Sequence, residues 1–323
     1  MQERKKLGKN DLSVKKTSIR KAYGEVLVEI GEDNKDIFSL EADLGGVTYS
    51  CMFGKKFPER YINVGDAEQN LIGTAAGLAA TGKIPYASTF AVFASMRAAE
   101  QVRFAVAYNN LKVRIIGMYS GLNAGRNGPS HHCEGDIAVM RSIPNMTVIE
   151  PADSLTLKKL IKESVNYDGP IYIRIGRKEV PLIYSNSDRI KIGKANILRE
   201  GKDLTIIACG LMVYESLIAA EKLEEDEISA EVIDLHTIKP LDSETILNSV
   251  KKTNKVITVE EHNIFGGLGS TIAELLSVKF PTKMNIIGIE DIFTDSDEEE
   301  ILREKYGLTS DNIYKKAIKM IND

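Results

Sequence analysis

Short apolar runs closed by turn residues alternate along the chain with longer amphipathic stretches. "DIFSLEADLGG", "KIPYASTF", "VRIIGMYS", "MTVIEPAD" and "IYIRIG" read as buried strands, with helical patterns between them. Strand, helix, strand in repetition predicts a mostly parallel sheet covered on both faces, because each crossover lays a helix against the sheet. A second series follows, with strands at "LTIIACG", "AEVIDLHTI", "KVITVEEHN" and "MNIIGIED". Residues 185–203 between the two series are rich in Asn, Ser, Asp, Gly and Lys and read as a connection. The pattern therefore predicts an α/β protein of two doubly wound domains, residues 13–188 and 189–323.

Composition narrows the possibilities. At 323 residues the length suits two cores, and 43% hydrophobic with 27% charged residues describes a globular chain. No stretch reaches the ~20 consecutive apolar residues of a membrane span. A net charge of -4 offers no basic field for nucleic acid. Cys51, Cys133 and Cys209 lie far apart, with no pairing typical of a disulfide framework or a zinc site, which fits a reducing compartment. The basic start "MQERKKLGKNDLSVKK" has no apolar core behind it and reads as a solvated arm, not a secretory signal. A cytoplasmic location is expected.

Ligands of open parallel sheets sit beyond the carboxyl ends of the strands, so loops there are the places to look. In "RYINVGDAEQNLIGTAAGLAATGKIPYASTF", Glu68 opens a helix made otherwise of small and apolar residues. It reads either as an acid favoured by the helix dipole or as a poorly solvated carboxylate able to exchange a proton. The loop "SGLNAGRNGPSHHCEGD" carries four glycines and the pair His131–His132. One of these histidines is a candidate proton carrier or hydroxyl-binding donor, and no third ligand at useful spacing supports a metal. Phe90 and Phe93, after a strand, read as core or as a stacking surface for a flat ring. Arg177, just past another strand, reads as a surface ion pair or a phosphate clamp. The glycines of "VEEHNIFGGLGSTIAELL" are explained by a tight turn and helix packing, since the third glycine of a dinucleotide fingerprint is missing. "DSDEEE", residues 295–300, reads as a solvated helix start.

Taken in order and spacing, "RYINVGDAEQNLIGTAAGLAATGKIPYASTF", "GPSHHCEGDIAVMRSIPNMTVIEPAD" and "VEEHNIFGGLGS" closely resemble the C-terminal half of transketolases, within the thiamine diphosphate superfamily. The likeness runs from about Thr17 to about residue 320. In that family a Gly-Asp-Gly motif followed by an Asn holds the diphosphate and its Mg²⁺ or Ca²⁺ through oxygen ligands. No Gly-Asp-Gly occurs here. The resemblance therefore implies a pyrimidine-binding domain followed by a transketolase C-terminal domain. That is one subunit of a split transketolase, with the diphosphate-binding domain and the metal ligands on an N-terminal partner subunit. Two of each chain, a heterotetramer, is the implied assembly.

Carried over residue by residue, the resemblance makes Glu68 the glutamate that hydrogen-bonds N1′ of the aminopyrimidine and promotes its imino tautomer. Phe90 and Phe93 match the aromatics stacked on that ring, and Asp43 an aspartate at the cofactor-bearing interface. His131 matches a donor-sugar-binding histidine, counted as catalytic. Arg20 and Arg177 match phosphate-binding arginines, and Thr48 stands where a serine contacts the phosphate. Three departures bear on the substrate. Met96 replaces a third ring at the pyrimidine, Tyr119 replaces a histidine, and Arg126-Asn127 replaces Glu-Asp, so that Asn127 offers an amide where the family has a carboxylate. The implied reaction moves a two-carbon ketol unit from a ketose phosphate to an aldose, and a less negative site points to a donor or acceptor with an extra anionic group or a modified sugar. The rivals are half of a deoxyxylulose phosphate synthase, the β component of a 2-oxoacid dehydrogenase, and a non-catalytic regulatory subunit.

Overall fold

The computed structural model describes residues 15–323. The basic arm read from the sequence lies, through residue 14, outside them. Two mixed sheets carry the chain. The first has seven strands in the spatial order Thr237–Lys239, Thr147–Ile149, Ile171–Ile175, Arg114–Met118, Ile84–Phe90, Ile37–Glu41 and Tyr61–Asn63. All pairings are parallel except that of the Thr237 strand, which runs antiparallel to Thr147–Ile149. The second has five, in the order Lys283–Ile289, Lys255–Asn263, Leu204–Ala208, Ala230–Asp234 and Asn196–Arg199, with only the last antiparallel.

The apolar runs fall where the pattern puts them, since strands buried on both faces need near-continuous Val, Ile and Leu. Every residue of Arg114–Met118, Ile171–Ile175 and Leu204–Ala208 is buried. Four short strands have no such run: Lys16–Ser18, Tyr61–Asn63, Glu179–Pro181 and Asn196–Arg199. The first and third pair with each other, antiparallel, outside both large sheets. One expected strand is corrected. "AEVIDLHTI" ends in the second sheet at Asp234, and Thr237–Lys239 crosses to the edge of the first. No regular element occupies the stretch between Pro181 and Asn196.

The two halves are tied by a buried ionic network. Arg174 is fully buried; its Nε donates to Asp136 Oδ2 at 2.8 Å and its Nη1 to Glu150 Oε2 at 2.7 Å. Tyr172 donates to the same Asp136 oxygen at 2.6 Å, and Arg174 Nη2 reaches the Glu261 carbonyl of the second half at 3.1 Å. The neighbouring carboxylates hold the guanidinium in its charged form against the desolvation that opposes it.

The glycines of the second half serve packing. Glu260 accepts from the backbone N–H groups of Leu268 and Gly269, at 2.6 and 2.7 Å, and so caps the helix Leu268–Lys279 from inside. A Cβ on Gly267 would run into Glu260 Oε2, so only glycine leaves room for the capping carboxylate. No helix among the described residues is long and apolar enough to cross a membrane.

Candidate active site

Eight of the expected site residues lie at or past the carboxyl ends of strands in the first sheet. Asp43 follows Ile37–Glu41, and Glu68 opens the helix Glu68–Ala80 shortly after Tyr61–Asn63. Phe90 closes Ile84–Phe90, and Phe93 stands three residues on. Tyr119 follows Arg114–Met118 and leads into the loop of Asn127 and His131, and Arg177 follows Ile171–Ile175. Arg20 is placed by the first turn of the helix Ile19–Asp33, which Ser18 caps by accepting from Lys21 N.

Contacts join most of these residues into one line. Glu68, 1% exposed, accepts from Arg97 Nη1 at 2.8 Å and from the Thr89 hydroxyl at 3.4 Å. The Arg97 guanidinium lies over the Phe93 ring, 4.0 Å from its centre. His131 meets Phe93 and Phe90 edge-on at 5.5 and 5.7 Å, with its Nδ1 hydrogen-bonded to Ser130. Phe90 stacks on Tyr119 at 4.8 Å. Two guanidiniums in turn approach the Tyr119 ring, Arg20 at 5.2 Å and Arg177 at 5.3 Å from its centre, and its hydroxyl accepts from Arg20 at 3.3 Å. Tyr119 sits at φ 59°, a left-handed conformation unusual for a ring-bearing residue, which aims it into this stack.

Other expected residues stand apart. Thr48 is fully buried, its hydroxyl bonded to Ser50 at 2.9 Å, and the structure does not bring it into the line. Asp43 is exposed and bonded to Asn63 at 3.0 Å. Met96 is 51% exposed, and Asn127 lies exposed on the loop. His132, which the sequence does not separate from His131, has a different part. Its Nε2 donates to the Gly125 carbonyl at 3.0 Å and its Nδ1 meets the Thr294 hydroxyl at 2.7 Å, while burial pushes its pKa down.

The loop is held by the second half of the chain. Gly121 and Cys133 close its base with a pair of 2.9 Å backbone hydrogen bonds. Gly121, at φ 59°, would carry a Cβ 2.6 Å from the Glu261 carbonyl, so glycine permits the close approach. Leu122 N and Asn123 Nδ2 donate to Glu261 Oε1 at 2.9 and 2.6 Å, and Arg126 pairs with Glu298 at 2.9 Å. The "DSDEEE" segment is therefore corrected. It does begin a helix, Glu299–Lys305, but Glu299 is 1% exposed, because the helix packs its first turn against this loop.

Glu299 supplies a pH test. Both its oxygens lack a hydrogen bond, and Arg303 Nη1 stands 3.8 Å away. Burial, and then the neighbouring Glu261, push its pKa up to about 7. Burial pushes the pKa of Glu260 up to about 7 as well. A carboxyl group that binds its proton more tightly when folded stabilises the fold fully below its unfolded pKa, near 4.5, and loses that contribution as pH rises through about 7. Glu299→Gln is accordingly expected to raise the urea midpoint at pH 8 relative to that at pH 5, when each is compared with the parent. An equal slope in parent and variant would contradict the assignment.

A cavity of about 880 Å³ opens between the halves, lined among others by Asn123, Gly176, Glu261, Glu299 and Arg303. It contains neither Glu68 nor the phenylalanines. The acid, the rings and the paired arginines lie along the line of contacts, not in this cavity.

Residues 15–182 match the transketolase pyrimidine binding domain, and residues 193–313 match the transketolase C-terminal domain. This chain belongs to the transketolase family. It is 43% identical to the 6-deoxy-6-sulfo-D-fructose transketolase subunit SqwH of Clostridium sp. (strain MSTE9), over 93% of each chain. It is 39% identical to an apulose-4-phosphate transketolase subunit of Phocaeicola vulgatus, covering 94% of this chain and 97% of the relative. Among solved structures it superposes on a split gene transketolase, described as an inactive β4 tetramer, with a TM-score of 0.89 and 44% identity. That match covers 94% of this chain and 98% of the other. The chain is thus of the split type, a transferase component that implies a partner chain. These relatives are transketolase subunits; they give no support to the synthase or dehydrogenase rivals.

Sequence reasoning passes over Arg97 and Arg174. The arginine inside "IYIRIG" is a visible signal, since a charge in an apolar strand needs buried partners. Arg97 has no comparable signal, because nothing local says that its side chain turns back to Glu68.

Proposed function

We propose that this chain is the pyrimidine-binding and C-terminal subunit of a thiamine diphosphate-dependent transketolase. It moves a two-carbon ketol unit from a ketose phosphate or related anionic ketose to an aldose. The observation that carries the reading is Glu68: a buried carboxylate whose hydrogen-bond partner is a flat N–H donor resting on Phe93. A planar, N–H-bearing group fits that place, and so the residues fit an aminopyrimidine edge. Thiamine diphosphate, when bound, supplies the electron sink for two-carbon transfer; the protein orients it and governs its protons.

In this reading Glu68 holds and returns a proton at the ring nitrogen. Phe90 and Phe93 with Met96 line the ring's place, and Asp43 faces the cofactor-bearing partner. His131, standing edge-on to both rings, binds the donor sugar, with Asn127 offering an amide to a hydroxyl. Arg20, Tyr119 and Arg177 receive the anionic end of the substrate, with Thr48 as a neighbour of that end. Mg²⁺ or Ca²⁺ and the diphosphate are held by an N-terminal partner subunit. The assembly is a cytoplasmic heterotetramer, and the chain divides at residues 188 and 189. The inactivity stated for the β4 form of the 44% identical split transketolase supports a dependence on the partner.

A specialised substrate is favoured by one feature. Two arginines approach Tyr119, and neither guanidinium spends all five of its N–H donors on the contacts described. Relatives named for a sulfonated hexose and for apulose 4-phosphate fit such a modified, anionic donor. The test is turnover by the reconstituted pair of chains with sulfonated and phosphorylated ketoses beside xylulose 5-phosphate. Equal or better turnover of xylulose 5-phosphate would count against specialisation. Arg177→Ala is expected to raise KM for the preferred anionic donor roughly 10- to 100-fold with a smaller effect on kcat, as loss of a charge-assisted contact implies. An unchanged KM would remove the arginines from substrate binding.

A further inference from the structure

Glu68 has a partner that the reaction does not explain. Its carboxylate is almost wholly buried, and Arg97 answers it with a 2.8 Å charge-assisted hydrogen bond. The same guanidinium lies over Phe93, 4.0 Å from the ring centre. Arg97 comes from a π-helical turn, Phe93–Arg97, and such wide turns re-aim side chains where a regular helix would not. Without this partner Glu68 would be a buried charge with only the long Thr89 contact to satisfy it.

The two contacts that Arg97 makes are the two that an aminopyrimidine would need: a hydrogen bond at the Glu68 carboxylate and the face of Phe93. Both groups are flat and carry nitrogen, and both cannot occupy one place. A second acid stands within reach. Asp66 Oδ1 lies 3.7 Å from Arg97 Nη1, and its side chain is 82% exposed. Arg97 itself is 43% exposed, so its outer end is free to move toward solvent.

We propose that Arg97 fills the place of the cofactor's pyrimidine ring when the ring is absent, and passes to Asp66 when the ring enters. It is a positioning residue: it occupies the Glu68 carboxylate and keeps the Phe93 face covered until cofactor arrives, and it competes with that cofactor. This inference rests on the thiamine diphosphate reading given above. Its consequence is that the arginine sets the affinity of the site, separately from the rate of the chemistry.

Titration calorimetry of thiamine diphosphate with Mg²⁺ into the assembled apo two-chain complex tests it. Arg97→Met removes the competitor and is expected to tighten binding about tenfold, which is ~1.4 kcal/mol. Asp66→Asn removes the landing place and is expected to weaken binding several-fold. The double variant is expected to bind as Arg97→Met does, because Asp66 acts only through Arg97. Arg97→Met binding no more tightly than the parent overturns the proposal, as does Asp66→Asn binding like the parent. Asp66 is a surface residue, so its variant decides the matter even where Arg97→Met fails to assemble. A parent complex that binds no thiamine diphosphate overturns the functional reading as well, whereas a parent that binds it with both variants unaltered overturns only the role of Arg97.

Discussion

Glu68→Gln is expected to lower kcat of the reconstituted two-chain enzyme on the order of a hundred- to ten-thousand-fold, the span that loss of a positioned proton-transfer group commands. Gln keeps the shape and still accepts a hydrogen bond from Arg97, so packing around the helix start is preserved. What it lacks is a charge and an exchangeable proton at that oxygen. The measurement is steady-state kcat with saturating cofactor, beside a urea curve showing that the variant folds. A loss below tenfold would return the chain to the regulatory-subunit reading, in which Glu68 is an ordinary helix-start acid.

The second large effect belongs to stability. Arg174→Met leaves Asp136 and Glu150 buried without their cation, and removal of one partner from a buried ionic cluster costs about 3–5 kcal/mol. The midpoint of urea unfolding is expected to drop clearly. Adding Asp136→Asn and Glu150→Gln to Arg174→Met is expected to recover part of that loss, because the uncompensated charges then disappear. An unchanged midpoint in the single variant would mean that water reaches the cluster. The same network touches the Glu261 carbonyl, so loosening it is also expected to loosen the loop of His131.

The candidate site is legible in part. Glu68, Phe90, Phe93, His131, Tyr119, Arg20 and Arg177 stand out in the sequence, and the structure sets them in one line of contacts. Glu68, Phe90, Phe93, His131 and Arg177 are legible because they stand at or past strand ends, where ligands of such sheets sit, whereas Arg20 and Tyr119 come only from the likeness to transketolases. Thr48 and Asp43 stand out too, yet they lie off that line. The acidic run ending at Glu300 misleads for a physical reason: a charged stretch is ordinarily solvated, and only a loop from elsewhere in the chain buries Glu299.

The sequence by itself determined the alternation of strands and helices, and with it two mostly parallel α/β sheets. Periodicity and burial are local properties, written in each short run. It also determined where the chemical side chains would project, since strand ends follow from the strands. Tertiary structure alone decided the rest: that Arg97 turns back onto Glu68, that Arg20 and Arg177 approach Tyr119, and that Thr237–Lys239 joins the first sheet. Partners such as Arg174 with Glu261 lie 87 residues apart, and no local preference encodes which distant group a charge will meet once both are removed from water.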